Sequence, residues 1–184
     1  YDDSLDLIQK WHGRNRQLYA VTPRFAITST QEQLELAGAL LDQFPDVFMQ
    51  THLSENRDEI TEVARLFPNC TSYLDVYDKA GLVRRRSIFG HAIHVDENTL
   101  HRCHDAGSTL AHCPTSNLFL GSGFFPLSQT QNPDRPLHVA LASDIGAGTT
   151  LSMLGTMAEA YKVSLAAGGQ RLHPVQAFWL ATTG

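Results

Sequence analysis

Cysteine is scarce in this chain of 184 residues, with Cys70, Cys103 and Cys113 as the only three and no CxxC pair among them. Three thiols cannot all pair, which excludes the disulfide framework of small secreted domains and points to a reduced, cytoplasmic setting. Positive charge is also short: 14 Lys and Arg stand against 19 Asp and Glu, for a formal net charge of −5. Such a balance argues against a broad basic footprint for nucleic acid or for an anionic membrane surface. No apolar run approaches the ~18 residues of a membrane span, and no basic stretch followed by an apolar one opens the chain. Neither GxGxxG nor GxxxxGKS/T occurs, so the fingerprints of the open nucleotide-binding folds are missing. Internal repeats and low-complexity tracts are absent as well. With 42% hydrophobic side chains the chain can bury a core, and a single domain handling a small molecule is the expectation.

Histidine, by contrast, is plentiful, with nine residues. A metal site here would be built from imidazole and carboxylate, a donor set that suits zinc or iron(II). The ordinary reading for most of the nine is a solvated surface side chain.

Short apolar runs recur at residues 18–21, 47–51, 87–91, 109–112 and 137–142, separated by amphipathic stretches. Thr30-x-x-Gln33 reads as a capping box before a helix over residues 32–44, and Gly81 and Gly107 sit where helices would need a left-handed terminal residue. The pattern is α/β, with buried strands in a parallel sheet and helices outside it, either a barrel or an open doubly wound fold. The stretch from 121 to 135, rich in Gly, Pro, Ser and Asn, is the longest irregular one; it is either a cover for a site or a passive connector.

The strand ends run into polar segments. The second leads to Thr51-His52-Leu53-Ser54-Glu55-Asn56, the third to Gly90-His91-Ala92, and the fifth to Ser143-Asp144-Ile145. In a βα barrel such ends converge on one face, which would bring His52, Glu55, His91 and Asp144 together. Each alone reads equally well as a polar group capping the next helix. Jointly they suit a metal centre: His52 and Asp144 are ordinary ligands, a bound divalent ion lowers the pKa of water to about 7, and Glu55 is placed to move the proton.

Four segments carry a resemblance. Val21-Thr22-Pro23-Arg24-Phe25, Thr51-His52-Leu53-Ser54-Glu55-Asn56 with its charged continuation, Ala111-His112-Cys113-Pro114-Thr115-Ser116-Asn117 and Ser143-Asp144-Ile145 are similar, in order and spacing, to the barrel motifs of guanine deaminases. The second and third are shared by many ring-acting members of the amidohydrolase superfamily; the Pro-Arg-Phe segment narrows the likeness. The resemblance implies part of a (β/α)8 TIM-type barrel, with about five of the eight βα units present. It implies His52 and Asp144 as ligands of one Zn2+ or Fe2+, Glu55 as proton shuttle, and His91, with Asp144, steadying the reacting group. Arg24, Phe25, His52 and Glu55 would face a purine, and a homodimer is the expected assembly of the full-length protein. His94 and His112 are further candidates for the pocket wall, His101 and His104 read as solvated helix positions, and Asn117 as a residue holding its loop.

The family pattern also includes an HxH motif on the first barrel strand, and upstream of His52 the only histidine is His12. The expectation is therefore that residues 1–184 form the central and C-terminal part of the barrel, without the first strand and the small terminal sheet domain, and are inactive alone. The rival readings are another ring-substrate amidohydrolase, acting on an adenosine derivative or a chlorinated triazine, and a silent barrel serving as an assembly module. The HxE…PCxxC signature of the base-flipping zinc deaminases is absent.

Overall fold

The computed structural model describes residues 1–169 and 171–184. In chain order the elements are α1 (Asp2–Trp11), β1 (Ala20–Val21), a 3-10 turn (Ala26–Thr28), α2 (Gln31–Gln43), β2 (Phe48–Leu53), α3 (Arg57–Leu66), α4 (Tyr73–Lys79) and β3 (Ser87–His91). They continue with α5 (Glu97–Ala106), β4 (Thr109–His112), α6 (Pro114–Leu120), α7 (Leu127–Thr130), β5 (His138–Leu141), α8 (Met153–Ala166) and α9 (Pro174–Thr182). The strands form one sheet in the order β1-β2-β3-β4-β5, every pair parallel. Five strands fall where the hydrophobic runs predicted them.

Helix starts are specified locally. The side chains of Thr30, Ser72, Asp96 and Ser152 each accept the N–H three residues on, at the heads of α2, α4, α5 and α8. The reciprocal capping box forms not at Thr30 and Gln33 but at Asn56 and Glu59, at the head of α3. Pro114 opens α6, and Gly107 and Gly121 close α5 and α6 in the left-handed region, with φ of 65° and 71°.

Register aligns side chains in rows across the sheet. Thr51, Phe89, Leu110 and Val139 form one row, buried beneath the helices with Leu53, Tyr77 and Leu100. The opposite face carries His52, Gly90, Ala111 and Ala140 in one row and the exposed Gln50 and His138 in the next. Gln50 and His138 leave part of this face exposed, where continuous apolar runs suggested burial on both sides. Among the described residues no helix is long and apolar enough to cross a membrane.

The 121–135 stretch is tied down rather than loose. It contains α7, and Arg135, 2% exposed, donates from Nε and Nη2 to the two carboxylate oxygens of Glu97 at 2.9 and 3.0 Å and to the Gln129 carbonyl at 3.2 Å. A bidentate guanidinium–carboxylate pair clamps the stretch to the first turn of α5.

His112 does not line a pocket wall. Its ring is 1% exposed and stacks on Phe125 with centroids 4.6 Å apart. Burial, aided by the neighbouring His91, pushes its pKa down to about 3. The unfolded chain therefore binds a proton that the folded one refuses between pH 6.5 and 3, so stability falls as pH drops through that window. The slope from this group approaches about 1.4 kcal/mol per pH unit. Urea unfolding at pH 7 and pH 5 should show this loss in the native sequence and a smaller one in His112→Leu; equal losses contradict the assignment.

Candidate active site

The C-terminal ends of the strands lie along one edge of the sheet, and the backbone breaks its regular course there. Of the six non-glycine residues with positive φ among the described residues, four are in this region: Ser54 (49°), His91 (68°), Ala92 (45°) and Asp144 (46°). Each such residue costs on the order of 1–2 kcal/mol. The break at His91 has a consequence for the site. Register pairs His91 with Leu53, on the buried side of the sheet, yet the His91 ring stacks on that of His52, centroids 5.2 Å apart at 26°. The left-handed turn interrupts the alternation and brings the two imidazoles together.

His52, His91 and Asp144 each offer a ligand atom, and these atoms lie within 4.8 Å of one another. His91 Nε2 is 3.8 Å from Asp144 Oδ2. The set suits a borderline cation such as zinc, being two imidazoles and a carboxylate. His52 Nδ1 is 2.7 Å from the Arg24 carbonyl and so carries the hydrogen, leaving Nε2 its lone pair. His91 Nδ1 is 2.9 Å from Asn117 Oδ1, which fixes that ring in the same sense. Asp144 is held by a tight turn in which the Gly148 N–H donates to its carbonyl at 2.6 Å. A Cβ at Gly148 would lie 1.7 Å from the Ser143 carbonyl oxygen, so only glycine permits this turn.

Glu55 stands beside this set and outside it. Its Oε1 lies 3.7 Å from His91 Nδ1 and accepts the Ser122 hydroxyl at 3.0 Å. Glu59 supports the segment from below: one carboxylate oxygen accepts the N–H groups of Glu55 and Asn56, at 2.9 and 3.1 Å, and the other the Tyr73 hydroxyl at 2.6 Å. Burial and the Glu59 and Tyr77 contacts push the Tyr73 hydroxyl pKa well up, so it stays a donor. Tyr77 accepts the Ala26 N–H at 3.0 Å and donates to the His52 carbonyl at 2.8 Å, joining the segment after β1 to the end of β2.

A cavity of about 500 Å³ opens at this edge, with Arg24, His52, His91, Cys113, Asp144 and Met153 in its wall. Gly90 and Ala111, in the same row as His52, leave that space by their small size. Cys113 is buried and its thiol pKa is pushed up to about 12, chiefly by desolvation, which keeps it an inert wall. Phe25 and Glu55 are not in the wall; the Phe25 ring sits 5.6 Å from that of His52, and the Arg24 guanidinium 5.1 Å from the Phe25 ring.

The expected residues thus gather: His52, His91 and Asp144 form one set, Glu55 adjoins it, and Arg24 reaches the cavity. His94 Nε2 donates to the Ser122 carbonyl at 3.0 Å instead of reaching the cavity; His101 and His104 lie on α5, the first exposed and the second half-buried with its Nδ1 donating to the Pro136 carbonyl at 2.7 Å. Asn117 holds His91 rather than only its own loop. Sequence reasoning does not single out Glu59, Tyr77 or Ser122; the Asn-x-x-Glu spacing marks Glu59, whereas Tyr77 reads as an ordinary apolar helix position. At a pH where the rings are neutral, long-range 15N–1H spectra should show His52 and His91 as Nδ1–H tautomers. Nε2–H in either contradicts the hydrogen bonding described.

The chain is 47% identical over its whole length to the guanine deaminase of Escherichia coli strain K12, of which it covers 41%. It superposes on the crystal structure of guanine deaminase from Bradyrhizobium japonicum with a TM-score of 0.95 and 34% identity, covering 99% of this chain and 43% of that one. Against an adenosine deaminase from Xanthomonas campestris with bound zinc the TM-score is 0.89 at 26% identity, over 98% and 41% of the two chains. It spans about two fifths of the length of these relatives, as a five-stranded arc of their βα barrel. Through residues 3–184, which match the family model, the chain belongs to the amidohydrolase family.

Proposed function

We propose that this chain supplies the catalytic edge of a metal-dependent guanine deaminase, which hydrolyses guanine to xanthine and ammonia. The observation that carries the reading is the convergence of His52, His91 and Asp144 within 4.8 Å, with Glu55 alongside and Arg24 in the same cavity wall. The likeness to guanine deaminases over the full chain supports the substrate.

In this reading His52 and Asp144 hold the ion, zinc rather than iron(II) in view of the zinc-containing relative. The ion supplies Lewis acidity and lowers the pKa of water from 15.7 to about 7. Glu55 takes one proton from the water that attacks the amine-bearing carbon and gives it to the ring nitrogen, then carries the second, from the new hydroxyl, to the leaving amine. The carbon–nitrogen bond breaks, ammonia departs, and the oxygen of water remains as the new carbonyl. His91, its Nδ1 held by Asn117, presents Nε2 to the reacting centre and with Asp144 steadies the charge that develops there. Arg24 donates to the purine carbonyl through its fixed fork, and Phe25, outside the cavity wall, backs the Arg24 guanidinium and the His52 ring. The close superposition on an adenosine deaminase favours a second ring-amine substrate as the rival, and Arg24 distinguishes them because its donors match a carbonyl and not an exocyclic amine.

The test uses the complete protein that carries this chain, loaded with zinc, against guanine, adenine, adenosine and a chlorinated triazine. Guanine should be the substrate turned over. Glu55→Gln should lower kcat by at least about 10²-fold with zinc retained, and Arg24→Ala should raise KM for guanine by about tenfold or more. Hydrolysis of another ring substrate with none of guanine sinks the assignment.

A further inference from the structure

We infer that Ser122 is the positioning residue of the proton shuttle, an inference that rests on Glu55 being that shuttle. Glu55 and Ser122 are 67 residues apart, and the hydroxyl donates to Oε1 at 3.0 Å. His91 Nδ1, also near that oxygen, is at 3.7 Å, beyond a hydrogen bond, and is itself engaged by Asn117. A glutamate has three side-chain torsions, so a carboxylate without such a contact samples several orientations. With Oε1 held by Ser122, Oε2 is the oxygen left to take and return the proton.

The fold commits several independent contacts to putting that hydroxyl in place. α6 stops at Gly121, and the Ser122 N–H closes the helix end by donating to the Asn117 carbonyl at 2.9 Å. Asn117 is the residue whose side chain fixes His91, so one turn of chain delivers both contacts, Asn117 to His91 and Ser122 to Glu55. The Ser122 carbonyl is held in turn by His94 Nε2 at 3.0 Å, from the segment after β3. The next residue, Gly123, has φ of 129°, and a Cβ there would approach Ile93 Cγ2 to 3.1 Å. The chain therefore passes close against the β3 end at this point, and Ser122 is 9% exposed. A surface serine that met a carboxylate by chance would need none of this. The stretch after α6 is thus neither a lid nor a passive connector at its start: it is the mount of the shuttle.

The experiment compares Ser122→Ala, Ser122→Thr and Glu55→Gln, singly and as Ser122→Ala with Glu55→Gln, in the complete zinc-loaded protein with guanine. Ser122→Ala should lower kcat by about 10- to 100-fold, as misplacement of a catalytic group does, while KM and zinc content stay within about threefold. Ser122→Thr, which keeps the hydroxyl, should recover most of that loss. On the Glu55→Gln background the Ser122→Ala change should add little, because both act on one step. A kcat for Ser122→Ala within about twofold of the native value, or a full additional loss on the Glu55→Gln background, overturns the inference. The double-variant comparison stays decisive even if the threonine is not accommodated. Should Glu55→Gln alone keep native turnover, the assignment of the shuttle fails, and this inference with it; abolished turnover in Glu55→Gln beside an unaffected Ser122→Ala refutes the inference alone.

Discussion

The parallel register of β2 against β3 is the constraint on which the site depends. It sets His52 opposite Gly90 and Leu53 opposite His91, so regular strands would leave the two histidines on opposite faces of the sheet. The left-handed turn at His91 and Ala92 overrides that alternation. It persists because neighbouring hydrogen bonds hold it: Ala92 N–H donates to the Leu53 carbonyl at 2.8 Å, and the Ser54 carbonyl accepts from both Ile93 and His94, at 3.2 and 3.1 Å. Local strain at an active edge is compensated by the structure around it.

Behind the reacting groups stands a layer of hydrogen bonds that fixes each one. The Arg24 carbonyl orients His52, Asn117 orients His91, Gly148 shapes the turn that carries Asp144, and Glu59 and Ser122 hold Glu55 by backbone and side chain respectively. Because Arg24 contributes its backbone to His52 and its side chain to the cavity, the segment after β1 and the end of β2 are joined through Arg24 itself. Tyr77 strengthens that joint from below, linking Ala26 to the His52 carbonyl. A site assembled this way owes its geometry to hydrogen bonds behind its ligand atoms and its carboxylate.

Much of this is legible in the sequence, and for identifiable reasons. The strands announce themselves because hydrophobic runs separated by amphipathic stretches have few other uses, and their polar sequels name His52, Glu55, His91 and Asp144. The motif resemblance then chooses a barrel where periodicity leaves two folds open. Contacts between distant segments are the part that sequence does not carry. Ser122 sits in a Gly-rich stretch that reads as a connector, and nothing local says that its hydroxyl meets a carboxylate 67 residues away. His112 reads as a pocket histidine because it lies in a motif beside reactive residues; register places it across from Leu141, within the core. The Thr30 pattern and the Asn56 pattern look alike in one dimension, and only the second closes both of its hydrogen bonds.

The proposed function stands or falls on whether His52 and Asp144 hold a metal ion at the edge where Glu55 and Arg24 also meet. Anomalous diffraction at the zinc absorption edge, from crystals of the complete protein, tests it most directly. A peak is expected about 2.0–2.2 Å from a nitrogen of His52 and an oxygen of Asp144. No peak at that edge in zinc-grown crystals, or a peak bound away from both residues, would contradict it.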